Sequence, residues 1–235
     1  MRELIYVSQR KIRSFQDVRD SKFGLFRRVR EAEIKVPFGG GAKLAFSDDV
    51  NRRYPGLSRI TRHIDSLDRG ARWYESETLE PGDWVVFETR MNYRIVDVSR
   101  SRKAADKVPV LLFWDVLGDE MPSTRLLLHG AAEHLMDQAA IEPPAREGML
   151  LAPSSSYGFV QVLRALTADR MDGADLQHVP LLLRKLENGL SSGFAMWMTG
   201  FARVTANVLS RERAKKADYR TIVASPLYVE LVPRP

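Results

Sequence analysis

The residues of this sequence best suited to acid–base or metal chemistry are its four histidines, His63, His129, His134 and His178. Only His129 and His134 lie close together, in the segment His-Gly-Ala-Ala-Glu-His. Zinc-binding helices place two histidines four residues apart so that both face one ion, whereas here the spacing is five and a glycine intervenes. With Glu133 as third ligand or general base, these residues define a minority hypothesis, a hydrolase or metal-dependent enzyme. The spacing favours the alternative that His129 and His134 do not share a ligand and that each has only a structural role.

Three carboxylates, Asp115, Asp119 and Glu120, cluster after an apolar run that ends at Val116. Carboxylates beyond a strand end are ligands that Mg²⁺ accepts, which would serve the same enzymatic hypothesis. Solvated acids of a turn are the interpretation that we favour, because a glycine at position 118 favours a turn there.

Other catalytic motifs are absent from the sequence. The chain has no cysteine, which excludes disulfides, thiol nucleophiles and cysteine-bound metal sites. The glycine-rich segment 39–43 lacks the spacing and the Ser or Thr of a phosphate-binding P-loop, and the serines at 154–156 lack the nucleophile elbow. We therefore predict no cofactor and favour a protein that is not an enzyme.

Positive charge is the strongest signal in the composition. The chain carries 36 Lys and Arg against 30 Asp and Glu, a formal charge of +6. Residues 10–30 hold eight basic and two acidic side chains, so the net charge of this segment equals the net charge of the whole chain. Residues 99–107 and residues 211–220 each carry a net charge of +3. Arginine matches phosphate oxygens with a bidentate fork. The candidate anion-binding residues are Arg10, Lys11, Arg13, Arg100, Arg102, Arg211 and Arg213.

We expect folding to gather these basic segments on one surface, which would attract anions over roughly 8–10 Å at physiological salt. The favoured ligand is a nucleotide or a similar small anion. A nucleic acid held through its phosphates and a protein partner of the same system are the alternatives. A solvated basic face with no ligand would explain the same pattern.

The elements that must position these residues predict an α+β fold. Long apolar stretches joined by basic loops indicate two long β-hairpins, residues 84–98 with 108–116 and residues 201–209 with 221–232. Helical spacing appears at 57–67, 159–166 and 176–190. Because the strands come in adjacent pairs, we predict a mainly antiparallel sheet built from hairpins, with the helices packed on one face. The two hairpins have similar basic loops. An internal pseudo-duplication would explain this similarity, and coincidence is the alternative.

The organisation that we predict is an N-terminal α+β half (1–138), a Pro- and Ser-rich connection (139–156) and a C-terminal helix pair with hairpin (157–235). A single domain is the alternative. No apolar run approaches the ~20 residues of a membrane span, and no signal peptide is recognisable, so we expect a cytoplasmic protein without a membrane partner.

Four stretches resemble an uncharacterised actinobacterial protein family over nearly the whole chain. They are Met-Arg-Glu-Leu-Ile-Tyr-Val-Ser with Lys11, residues 81–88, Arg-Leu-Leu-Leu-His-Gly with Glu-His-Leu at 133–135, and Ala-Ser-Pro-Leu-Tyr-Val-Glu at 224–230. The resemblance implies a lineage but no reaction and no catalytic residues. The opening strand-Ser-x-x-Lys pattern is also similar to small proteins encoded near bacterial conflict and signalling systems. We therefore expect a non-catalytic sensing or adaptor module of a regulatory or defence system.

Overall fold

The computed structural model describes residues 2–22, 54, 56–67, 70–99, 107–117, 122–136, 155–167, 176–190, 192–212 and 217–234. The strands are β1 (Glu3–Val7), β2 (Ala71–Trp73), β3 (Trp84–Ser99), β4 (Lys107–Asp115), β5 (Thr124–Ala131), β6 (Met196–Glu212) and β7 (Ala217–Leu231). The helices are α1 (Gln9–Lys22), α2 (Leu57–Asp65), α3 (Ser155–Thr167) and α4 (Val179–Gly189).

Five of these strands close into a barrel. β3 pairs with β4, β4 with β5, β5 with β7, β7 with β6, and β6 pairs back with β3. Within this ring only β5 and β7 are parallel. β1 continues beside β7, and β2 lies parallel to β3. The predicted α+β class with a mainly antiparallel sheet is confirmed, and the ring has the strand order of OB-fold barrels.

Both predicted hairpins are present, and they share one sheet. β3 and β4 pair from Met91 with Asp115 to Ser99 with Lys107. β6 and β7 pair as far as Glu212 with Ala217. Nothing in the register identifies a duplication, which stays a hypothesis.

The inside of the barrel is filled by alternate side chains of the five strands. Phe87, Phe113 and Leu128 are fully buried there. Gly200 of β6 faces the same interior, and a Cβ at this position would lie 2.3 Å from the Tyr228 carbonyl oxygen and 2.8 Å from the Phe87 ring. A glycine is therefore needed where two strands and an aromatic ring meet so closely.

The four helices that lie within the described residues pack on the outer face of the barrel, as predicted, in two groups. α3 and α4 cover the β4–β5 side, where Phe159 and Leu183 pack with Leu112, Trp114 and Leu127. α1 and α2 cover the other side. Their residues Ile12, Leu57, Ile60 and Ile64 share one cluster with Trp84, Phe201 and Tyr228 of the strands.

The two predicted halves of the chain contribute strands to the same barrel. β3 of the first half pairs with β6 of the second, and β1 and β5 both pair with β7. Most of the predicted connection, residues 139–154, lies outside the described residues. No described helix is long and apolar enough to cross a membrane.

Candidate functional site

The candidate site lies where β1 passes into α1. The Ser8 amide donates to the Leu227 carbonyl oxygen of β7 at 2.8 Å, and the Ser8 carbonyl accepts the first helical hydrogen bond, from Ile12, at 3.1 Å. Ile12 is buried against the barrel and so determines which face of α1 turns inward. Consequently Lys11 is directed toward β7, whereas Arg10 and Arg13 are exposed. The helix also presents its positive dipole end at this point.

Lys11 joins α1 to β7 through its amino group. Nζ lies 2.6 Å from the Ser225 carbonyl oxygen, 2.7 Å from the Pro226 carbonyl oxygen and 2.8 Å from Ser225 Oγ. The carbonyls can only accept, but the hydroxyl can donate or accept. A protonated Lys11 therefore donates to all three oxygens. A neutral Lys11 donates to the two carbonyls and accepts the proton of Ser225 Oγ, so both states are satisfied.

The environment of Lys11 favours the neutral state. Burial, together with the positive charge of Arg203, lowers the pKa of Lys11 from 10.5 to about 7, and burial is the larger cause. Arg203 lies on β6 directly opposite Ser225, whose side chain is itself buried. At neutral pH the Lys11 amino group can thus give up or take up a proton at little cost.

His134 brings a second titratable group to the same site. Its ring lies edge-on to Tyr6 of β1, with 5.9 Å between ring centres, and its Nε2 lies 3.8 Å from Glu133 Oε1. Burial lowers the pKa of His134; the Glu133 carboxylate opposes this shift, while the charges of Lys11, Arg10 and Arg13 lower the pKa further. Lys11, Arg10 and Arg13 of α1 therefore act together on one small region, called the α1 site below. It comprises Arg10, Lys11, Arg13, His134 and Ser225.

The remaining predicted anion-binding residues cannot be added to this site. Arg100, Arg102 and Arg213, as well as the side chain of Arg211, lie outside the described residues. β3 and β6 run antiparallel, with Trp84 opposite Arg203 and Met91 opposite Met196. Beyond this shared region, β3 continues toward Ser99 and β6 toward Glu212 in opposite directions. The described strands therefore do not bring the starting points of the two basic loops together.

The histidines of the minority metal hypothesis have different surroundings. The His129 ring stacks on Phe159 of α3, with 4.7 Å between centres, and its Nε2 lies 3.2 Å from Thr205 Oγ1. Because that hydroxyl donates to the Val223 carbonyl oxygen, it accepts from His129 Nε2–H. His134 instead faces Tyr6. Across the part of the chain that the structure describes, no three His, Asp or Glu side chains form a group suited to a metal ion.

The lineage of the chain follows from a family comparison. The model of a family of unknown function, DUF7019, matches residues 2–233. The chain belongs to this family. The match confirms a family relationship over nearly the whole length, and the family description assigns no reaction. No match was found among curated proteins or among solved structures.

Three of the stretches that carried the resemblance meet at the α1 site of this DUF7019 member. The first supplies Lys11, the β5 stretch continues to His134, and the β7 stretch supplies Ser225. The sequence singled out Lys11 and His134 separately but missed Ser225. A proline inside a long strand, at position 226, was the available signal, because proline in a strand interior marks a bulge. The register of β7 is indeed irregular there.

A second buried polar cluster holds the barrel to α4. Arg125 of β5 donates from Nε to Asp115 Oδ1 at 2.9 Å and from Nη2 to Glu187 Oε1 at 2.6 Å. Burial raises the pKa of Asp115 to about 6, although Arg125 opposes the shift. The minority enzyme hypothesis offered Asp115 as a Mg²⁺ ligand, and the positive partner of its carboxylate in this structure is the Arg125 guanidinium. Asp119 and Glu120 lie outside the described residues.

Proposed function

We propose that this DUF7019 member binds a small anion, one that carries a phosphate or a carboxylate, at the α1 site. The observation that supports the proposal best is that Arg10 and Arg13 are exposed one turn apart on α1, beside Lys11, which is held against β7. The charges of all three side chains lower the pKa of His134. Cations that repel one another gain free energy when an anion comes between them. Arg10 and Arg13 are exposed, so a ligand can reach them from solvent.

A sensing or adaptor role in a bacterial regulatory or defence system extends this proposal. It is supported by the opening Ser-x-x-Lys pattern. A nucleotide is the ligand we favour, because its phosphates suit paired arginines.

The test is thermal stabilisation and calorimetric titration with inorganic phosphate, ADP, ATP and cyclic dinucleotides. A ligand that binds the folded state raises apparent stability by mass action. The double variant Arg10→Gln/Arg13→Gln should weaken binding about tenfold or more. The matched control, Arg59→Gln/Arg164→Gln, removes two exposed arginines from α2 and α3 and should bind like the parent. No stabilisation by any of these compounds would contradict the proposal.

Nucleic acid is the second candidate, and the strand order is the observation that favours it. OB-fold barrels bind oligonucleotides on the face of their second and third strands, which correspond to β4 and β5 here. In this protein α3 and α4 cover that face, as the stacking of Phe159 on His129 illustrates. The small-anion proposal therefore takes precedence. A nucleic-acid complex would instead weaken steeply with salt, with a log–log slope near −0.9 for each duplex phosphate contacted.

A further inference from the structure

We propose that Ser225 is a nucleophile and that Lys11 is its general base, in a reaction on carboxylic esters that carry a negative charge. This inference rests on the proposed anion-binding site and adds a chemical reaction to it. It is carried by the arrangement of four atoms: Lys11 Nζ, Ser225 Oγ and the two carbonyl oxygens of Ser225 and Pro226.

The two carbonyls orient the lone pair of a neutral Lys11. The neutral amine has two protons, and it donates them to the Ser225 and Pro226 carbonyl oxygens, which lie 2.6 and 2.7 Å from Nζ. Its lone pair is then directed to the third neighbouring oxygen. That neighbour is Ser225 Oγ, at 2.8 Å, which lies within the range required of a nucleophile and its base. Burial lowers the pKa of Lys11 to about 7, so a substantial fraction of the amine is neutral at physiological pH.

The charges around the pair indicate the class of substrate. Arg203 lies opposite Ser225 on the neighbouring strand, and Arg10 and Arg13 lie beside Lys11 on α1. Paired positions on adjacent strands have Cβ atoms about 4.5–5.5 Å apart. Arg203 donates from Nε to the Gly82 carbonyl oxygen at 3.2 Å, and the terminal nitrogens of its guanidinium carry further N–H donors for a negative group near Ser225. An ester with a carboxylate or phosphate elsewhere in the molecule would be held with its carbonyl carbon near Ser225.

The reaction balances with water as the only co-substrate. As Ser225 Oγ forms a bond to the ester carbonyl carbon, its proton moves to Lys11 Nζ and the carbonyl electron pair moves to oxygen. When this tetrahedral intermediate collapses, the bond between the carbonyl carbon and the alcohol oxygen breaks, and the alcohol leaves with the proton from Lys11. Water then loses a proton to Lys11 and attacks the acyl-serine, which releases the acid and returns the proton to Ser225.

The probe is the 4-nitrophenyl monoester of succinic acid, with neutral 4-nitrophenyl acetate for comparison. We expect release of nitrophenolate, an acyl adduct on the peptide that contains Ser225, and faster reaction with the anionic ester. Lys11→Met should lower the rate about 100-fold or more, as is typical for loss of a general base, and Ser225→Ala, which removes the nucleophile, should lower it at least as much. Ser123→Ala, which removes an exposed serine, is the matched control and should leave it unchanged.

Two further measurements keep the test decisive if Lys11→Met fails to fold. The rate for the parent protein should rise with pH through a midpoint near 7. Ser225→Cys should be alkylated by iodoacetamide at neutral pH faster than a free thiol, because the Lys11 ammonium stabilises the thiolate. Phosphate binding is measured on the same samples. Binding without an adduct on Ser225 overturns this inference alone, whereas loss of both overturns the proposed function as well.

Discussion

Arg125 and Asp115 form an ion pair, with 2.9 Å between Nε and Oδ1, from which solvent is almost entirely excluded. Arg125 also bonds Glu187 of α4, so one guanidinium neutralises carboxylates from a strand and from a helix. Removing one partner of a buried pair leaves a charge without compensation, which costs far more than the pair contributes.

Arg125→Met should therefore lower the free energy of unfolding by about 3–5 kcal/mol. Urea denaturation followed by circular dichroism measures this loss. Arg94→Met, at an exposed position of β3, is the control and should change stability by no more than about 0.5 kcal/mol. A loss below about 1 kcal/mol for Arg125→Met would mean that Asp115 and Glu187 find other partners.

The raised pKa of Asp115 predicts a pH dependence of stability. Burial raises this pKa from 3.8 to about 6, so the folded state holds the proton more tightly than the unfolded state. The resulting contribution to stability is complete below about pH 4 and is lost as pH rises through 6. Asp115→Asn cannot titrate. The stability of this variant relative to the parent should therefore increase between pH 4 and pH 7 in urea titrations, and a constant difference would refute the assignment.

Gly200→Ala tests the close packing inside the barrel. The added methyl would meet the Tyr228 carbonyl oxygen at 2.3 Å and the Phe87 ring at 2.8 Å, so strands must separate. We expect a loss of at least about 1–3 kcal/mol, the usual cost of overpacking. Gly189→Ala provides the comparison, because the nearest atom there is the flexible end of Arg94 at 3.3 Å, and its effect should stay within about 0.5 kcal/mol. Equal effects in thermal unfolding would count against this barrel geometry.

Anion binding at the α1 site should tighten as pH falls from 8 to 6. Burial and neighbouring cations lower the pKa of Lys11 to about 7 and also lower that of His134. A bound anion beside Arg10 and Arg13 offsets their effect on His134 and raises the pKa of His134 again, so binding takes up protons and is stronger where protons are more abundant. Titration calorimetry of ADP in two buffers of different ionisation enthalpy measures this uptake. His134→Gln should reduce it, and an uptake of zero in the parent would contradict the coupling.

Much of the fold could be predicted from the sequence because its signals are local. Apolar runs on either side of a basic loop predicted both hairpins, and the spacing of Leu57, Ile60 and Ile64 predicted α2, since each of these signals lies within a short stretch of the chain. Closure of the barrel could not be predicted. The pairing of β3 with β6 depends on the direction and twist of strands that are distant in the chain, and hydrophobic alternation specifies neither.

The candidate site shows the same division between local and distant information. Lys11 stood out because it lies in a basic segment, but its partner Ser225 is 214 residues away. Arg125 precedes three leucines in a strand, and a charged residue beside such a run was the available hint of a buried ion pair. Its acceptor Glu187 lies on a helix whose orientation no local pattern encodes.

The central position of β7 has a consequence for biosynthesis. β7 is the last described strand, yet β1, β5 and β6 all pair with it. While the ribosome is still translating the C-terminal hairpin, the nascent polypeptide therefore exposes unprotected strand edges and an unfilled apolar interior. Exposed edges of this kind promote aggregation and attract chaperones. Production of the protein in a host cell should accordingly benefit from low temperature and added chaperone capacity.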